Sequence, residues 1–303
     1  MRADEIIVCD EGSTDRTLEI LEQFTDRLPL VIHRNPERLG TYQNFQKALS
    51  LCTGDYIFPA DQDDYWDHQK IERISTYFNH HDQAEVVFTD ALLVDEFGQI
   101  SGKKLWSTFR FREQQQKEWR AGKSLDILLD GNRVTGCTMG IRKRFLDKIS
   151  PFPTNLPPFF LHDAWMGISA ALENRIDFIP ATYVQYRLHS EQQVGVKGNQ
   201  GIPPTMWERI QRPHEDKIGP YRKKLAFLLA LREAVSAKFP NQRFEPLDTR
   251  IEYWDRRANL PEARWKRLKK TIQNLILGNY HRYKDIDSPA ETPYLMFLGD
   301  LIE

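Results

Sequence analysis

An α/β fold, with helices on both faces of a mostly parallel sheet and a helical extension after it, is what this sequence predicts. Three observations lead there. In residues 1–95, short apolar runs of strand character alternate strictly with segments of helical periodicity. Three carboxylates, Asp61, Asp63 and Asp64, follow at once on the apolar run 56–58, and open parallel sheets bind their ligands at that strand edge. No convincing strand pattern appears beyond Gly201. The expected division is therefore 1–200 for the α/β domain and 201–303 for the helices.

Taken in order, residues 5–9 read as a strand and Asp10-Glu11-Gly12-Ser13 as the turn leaving it. Ser13 or Thr14 is placed to cap a helix carrying Leu18, Leu21 and Phe24. Residues 30–33 form a second strand, and 39–51 a helix with Phe45, Ala48 and Leu49 on one face. Gly54 stops that helix before the strand 56–58. Asp67 is placed to cap a helix over 68–78, with Ile71, Ile74 and Phe78 inward, and 85–89 is a further strand. The polar stretch 109–123, rich in Gln and Arg, is long for a connection and has the look of a lid. Strand 137–142 and helix 144–149 precede a proline-rich loop over 151–160. A helix over 162–173 with Trp165, Ile168 and Leu172 on one stripe is followed by two strands, 176–179 and 183–188. Helices over 221–239 and 264–277 make up the extension.

The chain of 303 residues suits one large domain or a domain with an extension. Its net charge of −1 argues against a nucleic-acid binder that is basic overall. The three cysteines, Cys9, Cys52 and Cys137, are too scattered for a zinc cluster. Beside Val8 and Leu51, the first two read as small buried apolar residues, which points to a reducing compartment. No apolar run approaches the ~20 residues that span a bilayer, and the opening Met1-Arg2-Ala3-Asp4 does not read as a signal peptide. A cytoplasmic location, soluble or at a membrane surface, is the expectation.

Carboxylates as close as Asp61, Asp63 and Asp64 repel one another unless a cation sits between them. A hard divalent metal that also bridges a substrate diphosphate resolves that repulsion. A solvated acidic turn that only caps a helix is the plain alternative.

Four stretches in order make the pattern specific: Asp10-Glu11-Gly12-Ser13-Thr14-Asp15, Gly54-Asp55-Tyr56 through Asp61-Gln62-Asp63-Asp64-Tyr65-Trp66, His162-Asp163-Ala164-Trp165, and Tyr186-Arg187-Leu188-His189. Together they resemble the inverting family 2 glycosyltransferases of GT-A, Rossmann-like fold, closest to bacterial rhamnosyltransferase-like members that act on cell-surface polysaccharides. The resemblance implies a UDP- or dTDP-linked sugar as donor, a saccharide or lipid-linked acceptor, and Mg or Mn as cofactor. It also implies roles. Asp10, with Glu11, holds the uracil or thymine ring, and Asp61 faces the ribose or the metal. Asp63 ligates the metal, His189 is a further metal ligand or a diphosphate contact, and Arg187 belongs to the donor-binding residues. Asp163 is the general base that takes the acceptor proton in a single inverting displacement, its pKa raised by walls such as Phe159, Phe160 and Trp165. A helix-capping role for Asp10, a dipole-favoured place at a helix start for Asp163 and a solvated loop position for Asp64 stay open.

The chain departs from the family in one respect: the family begins with a further strand and helix before the Asp10 turn. Without that interior strand, its neighbours either close up or leave backbone groups unpaired. The Gln-x-x-Arg-Trp stretch of processive synthases is absent as well, so transfer of one or a few sugars is expected rather than chain extrusion. A haloacid-dehalogenase-like phosphatase and a binding remnant without catalysis are the competing readings. In the extension, Trp265, Leu268, Ile272, Leu275 and Ile276 recur at helical steps beside Arg264, Lys266, Arg267, Lys269 and Lys270. That pattern suits either packing on the catalytic domain, with the lysines solvated, or peripheral contact with the inner face of an anionic membrane.

Overall fold

The computed structural model describes residues 1–189 and 206–302. The chain forms two compact units, Met1–Val196 and Lys197–Glu303. The expected boundary at residue 200 lies outside the described residues.

The first unit runs β1 (Ile6–Asp10), α1 (Thr17–Glu22), β2 (Leu30–Arg34), α2 (Thr41–Leu51), β3 (Tyr56–Ile57), β4 (Tyr65–Trp66), α3 (Lys70–His80), β5 (Val86–Val94) and β6 (Ile100–Lys104). It continues with α4 (Leu105–Thr108), α5 (Glu113–Glu118), α6 (Ser124–Asp130), β7 (Met139–Arg142), α7 (Lys143–Ile149), α8 (His162–Leu172) and β8 (Ile176–Arg187). The α/β architecture is the expected one. Strand β5 is its centre: it pairs β7 on one side and β8 on the other, and eight of its nine residues are buried. A strand covered on both faces needs such a continuous apolar run.

Pairing is mixed rather than mostly parallel. Strands β1 with β2 and β5 with β8 run parallel, whereas β3–β7, β5–β7, β5–β6 and β4–β8 are antiparallel. The antiparallel members are the short β4 within residues 1–95 and, after it, β6 and β7, whereas β8 returns parallel to β5. Strands β1 and β2 also form a sheet of their own, separate from the order β3-β7-β5-β8-β4. Residues 6–9 of β1 are accordingly only half-buried, and α1 buries no residue at all.

Several local expectations are corrected. Helix α1 starts at Thr17, whose N–H donates to Asp15, while Ser13 turns back to Asp10. Helix α3 starts at Lys70, because Asp67 accepts from the Gln69 N–H and ties down the turn before it. The stretch 109–123 is no loose lid. It is helical through α5 and a π turn at Trp119–Lys123, and Phe111 and Trp119 anchor it in an aromatic cluster with Phe88, Trp106 and Phe178. Helix α8 is buried on every side rather than along one stripe. The two strands expected over 176–188 are one, β8, whose register shifts against β5 near Asp90. Among the cysteines, Cys137 is the buried one, while Cys9 and Cys52 are half-buried in the lightly covered region.

The second unit, among the described residues, is all helical: α9 (Met206–Gln211), α10 (His214–Lys238), α11 (Glu245–Ala258), α12 (Leu268–Ile276) behind a 3₁₀ turn at Arg264–Arg267, α13 (Asn279–Arg282) and α14 (Thr292–Ile302). A buried ion pair holds it. Arg257 grips Asp300 through two bonds, Nε to Oδ2 at 2.7 Å and Nη2 to Oδ1 at 2.9 Å. The hydroxyl of Tyr280 donates to the same carboxylate, and those of Tyr253 and Tyr221 accept from the guanidinium. No helix of the described residues is long and apolar enough to cross a membrane.

Candidate active site

The acidic loop 58–64 leaves β3 and is fixed at its far end by β4, whose Tyr65 and Trp66 pair antiparallel with Gln185 and Val184 of β8. That pairing sets the loop beside the last residues of β8. The Arg187 N–H donates to Asp64 Oδ1 at 3.0 Å, and its Nε donates to the Asp63 carbonyl at 2.8 Å. His189 Nε2 lies 2.8 Å from Asp63 Oδ2. Arg187 also reaches the Glu96 carbonyl at 3.0 Å and stacks over Tyr65 at 4.8 Å. It therefore braces the loop.

Two further segments close on the same place. The 3₁₀ turn Gly136–Thr138 puts the Cys137 thiol where Asp61, Asp64 and Cys137 each offer an atom within 4.8 Å of the others. The start of α8 brings Asp163, whose carboxylate accepts its neighbour Ala164's N–H at 2.6 Å. Gly136 is required by this approach, since a Cβ there would sit 2.6 Å from Nε2 of His162. His162 itself stacks on Phe45 with ring centroids 3.9 Å apart, and neither of its nitrogens has a hydrogen-bond partner.

Burial sets the electrostatics. It raises the Asp61 carboxyl to about 7, assisted by the charges of Asp64, Asp63 and Asp163. It raises Asp163 to about 6 against the pull of the Ala164 N–H, and it raises Asp64 as well. Trp165 and Phe160 are buried beside Asp163 in sequence, while Phe159 is exposed and supplies no wall. His162 is pushed down to about 3 by burial and is neutral.

A buried lysine completes the group. Lys70 is fully buried, donates to the Cys137 carbonyl at 2.5 Å and lies over the Trp66 ring at 3.1 Å. Burial lowers it to about 7, while Cys137, Asp64 and Asp61 hold it up. The sequence carries a signal for it: residues 70, 74 and 78 share one helix face, the face that Ile74 and Phe78 turn inward.

The remaining predicted residues lie in the smaller sheet. Asp10 ends β1, and its carboxylate accepts from the N–H groups of Gly12 and Ser13 and from the Ser13 hydroxyl, which holds it below the usual carboxylate range. Glu11 accepts from the N–H groups of Leu39 and Gly40 at 2.8 and 2.7 Å, tying the first turn to the start of α2. The hydrogen bonds of both residues stay within these two loops. So the structure brings together Asp61, Asp63, Asp163, Arg187 and His189, and adds Asp64, Lys70 and Cys137; it does not tie Asp10 and Glu11 to them.

Residues 2–149 match the model of the family described as glycosyl transferase family 2. Across 98% of this chain and 71% of the other, the fold matches Staphylococcus aureus TarS residues 1–349, solved with UDP-GlcNAc, at a TM-score of 0.50 and 17% identity. The fold is of the GT-A α/β kind. The curated relatives are partial matches. The uncharacterised protein Rv1520 of Mycobacterium tuberculosis is 26% identical over 189 residues, 61% of this chain. The chain spans half the length of that relative. EpsE of Bacillus subtilis is 38% identical over 98 residues, covering 31% of this chain and 34% of its own length.

Proposed function

We propose that the chain transfers a sugar, with inversion, from a UDP- or dTDP-linked donor to a hydroxyl of a saccharide or lipid-linked acceptor, with Mg or Mn as cofactor and rhamnose as the first sugar to test. The observation that carries this reading is the convergence of Asp61, Asp63 and Asp64 from one loop with Asp163 from the start of α8, a hundred residues further along the chain. Four carboxylates against the buried Lys70 and the Arg187 guanidinium leave an excess of acidic groups, which suits a cation.

The donor atoms fit such a metal. Asp64 Oδ2 is buried without a hydrogen-bond partner, and carboxylates with one imidazole are ligands that Mg and Mn accept. Asp63 and His189, with Asp61 and Asp64 beside them, would hold the ion. When bound, it offsets the charge growing on the leaving diphosphate. The Cys137 thiol, kept protonated by burial, is a poor ligand for either ion and serves instead as a weak hydrogen-bond donor to the Asp61 and Asp64 carboxylates. Arg187 holds the acidic loop in register with β8. Asp163, ionised above about pH 6, accepts the proton of the acceptor hydroxyl as that oxygen attacks the anomeric carbon. Asp10 and Glu11 shape the two loops against which the base would lie.

A second reading is favoured by one observation. Strands β1 and β3 do not pair, and the family resemblance implies a further strand centrally in the sheet. On that reading the chain is a nucleotide-sugar-binding remnant or interaction module, and activity needs the strand restored. Proton NMR of products formed from UDP- and dTDP-sugars with Mn tests the first reading: the transferred sugar should have inverted anomeric configuration. Retention contradicts the mechanism, and turnover only after upstream extension of the chain favours the second reading.

A further inference from the structure

Helix α12 is mounted with its polar side inward. Arg267, Thr271 and Asn274 are buried, each held by named partners. Arg267 donates to the Pro261 and Glu262 carbonyls and meets Nδ1 of His214, Thr271 bonds back to the Arg267 carbonyl, and Asn274 accepts from Arg256 Nε at 2.8 Å and from Asn279 at 3.0 Å. These bonds fix the rotation of the helix. Of its apolar residues only Leu275 turns inward, against the cluster of Tyr253, Tyr280 and Tyr283. The others point out: Trp265 is 77% exposed, Leu268 47%, Ile272 38% and Ile276 79%. They follow one another at steps of three and four residues, so they form one stripe along the turn and helix. Within its own helical unit, then, the stripe is not packed on the core.

A stripe of this kind, left in water, marks a surface that something covers. Its border indicates what. Arg264, Lys266 and Lys269 are exposed beside it, the Lys266 ammonium lies 5.3 Å from the Trp265 ring, and Glu262 is the one acid between residues 262 and 277. An isologous contact between two copies would press like-charged borders together. A surface of anionic phospholipid headgroups meets both features: the aliphatic side chains and the indole enter the acyl boundary, and the cations reach the phosphates.

We infer that the exposed face of the 264–276 segment docks this chain on an anionic phospholipid bilayer, lying in its interface. The inference goes beyond sugar transfer and does not rest on it. Its test uses the full chain without donor or acceptor, so its failure leaves the transfer reading untouched. Flotation with phosphatidylcholine vesicles containing phosphatidylglycerol should recover the protein at low salt, and binding should weaken as salt rises. Vesicles of phosphatidylcholine alone should recover far less. Removing the three exposed charges in Arg264→Gln/Lys266→Gln/Lys269→Gln should weaken binding on the order of a hundredfold, roughly fivefold for each cation near the surface. Replacing the stripe in Trp265→Ser/Ile272→Ser/Ile276→Ser should abolish binding while circular dichroism and the melting temperature stay at wild-type values, because these side chains hold no core. Equal recovery with neutral and anionic vesicles, or no recovery with either, overturns the inference. So does a concentration-dependent dimer in the ultracentrifuge that the serine variant abolishes, which would make a second copy the occupant.

Discussion

Replacing Asp163 by Asn should stabilise the fold while it removes catalysis, and the structure sets the size of the gain. The carboxyl is buried and its pKa lies at about 6, against 3.8 ordinarily. The folded state therefore holds the proton more tightly than the unfolded chain does. The sign follows: the group costs nothing below the unfolded value, and the cost grows as pH rises through the window from 3.8 to about 6. Above that window the rise corresponds to about 3 kcal/mol of lost stability. An amide has no such dependence, and its oxygen still accepts the Ala164 N–H. Relative to wild type, the Asn variant should thus gain about 2 kcal/mol between about pH 4 and pH 8. Urea unfolding of both proteins with a chelator present, at several pH values, measures this directly. Turnover should fall by roughly 10²–10⁴, the usual contribution of a general base. A stability difference that does not change with pH would refute the placement of a buried, proton-holding carboxyl, and unchanged turnover would make Asp163 a helix-terminal residue alone.

Other consequences are open to simpler measurements. Gly136→Ala should lower stability by roughly 1–3 kcal/mol through its contact with His162, and combined with His162→Ala it should cost less than the sum of the two single losses in thermal melts; a wild-type melt for the single Gly136→Ala variant would contradict the close approach. Lys70→Met keeps the stem over Trp66 but removes the cation beside Asp61 and Asp64, so those carboxyls should rise further and the pH profile of donor turnover should move to higher pH. An unmoved profile would leave Lys70 with a packing role only. In the helical unit, Asp300→Asn leaves Arg257 buried without its charge partner and should cost roughly 3–5 kcal/mol, read from urea midpoints; a near-neutral effect would show that the tyrosine hydroxyls alone satisfy the guanidinium.

Much of the site was legible because its chemistry lies in contiguous stretches. A strand ending in Asp61-x-Asp63-Asp64 announces itself, and so does Asp163 at the start of a helix with Trp165 behind it. Lys70 and Cys137 read locally as something else, a polar residue in a helix's first turn and a small residue at the start of a strand. Only the antiparallel crossing of β7 and the turn before it set them beside the carboxylates. Parallel pairing was over-predicted for a related reason: periodicity reports which face of a strand is buried, and says nothing of the direction in which its partner runs. The orientation of α12 was also hidden. Its apolar stripe is equally visible whether it faces in or out, and the choice rests on bonds from Arg256, Asn279 and His214 that local pattern does not carry.

The central claim is that Asp61, Asp63, Asp64 and His189 hold a divalent cation on which a nucleoside diphosphate depends for binding. Titration calorimetry of the full chain with UDP and dTDP, with and without Mn, tests it most directly, beside Asp63→Ala. Metal-dependent affinity for one of the two nucleotides, absent in the variant, is the predicted result; binding that is indifferent to Mn, or that survives intact in Asp63→Ala, would contradict it.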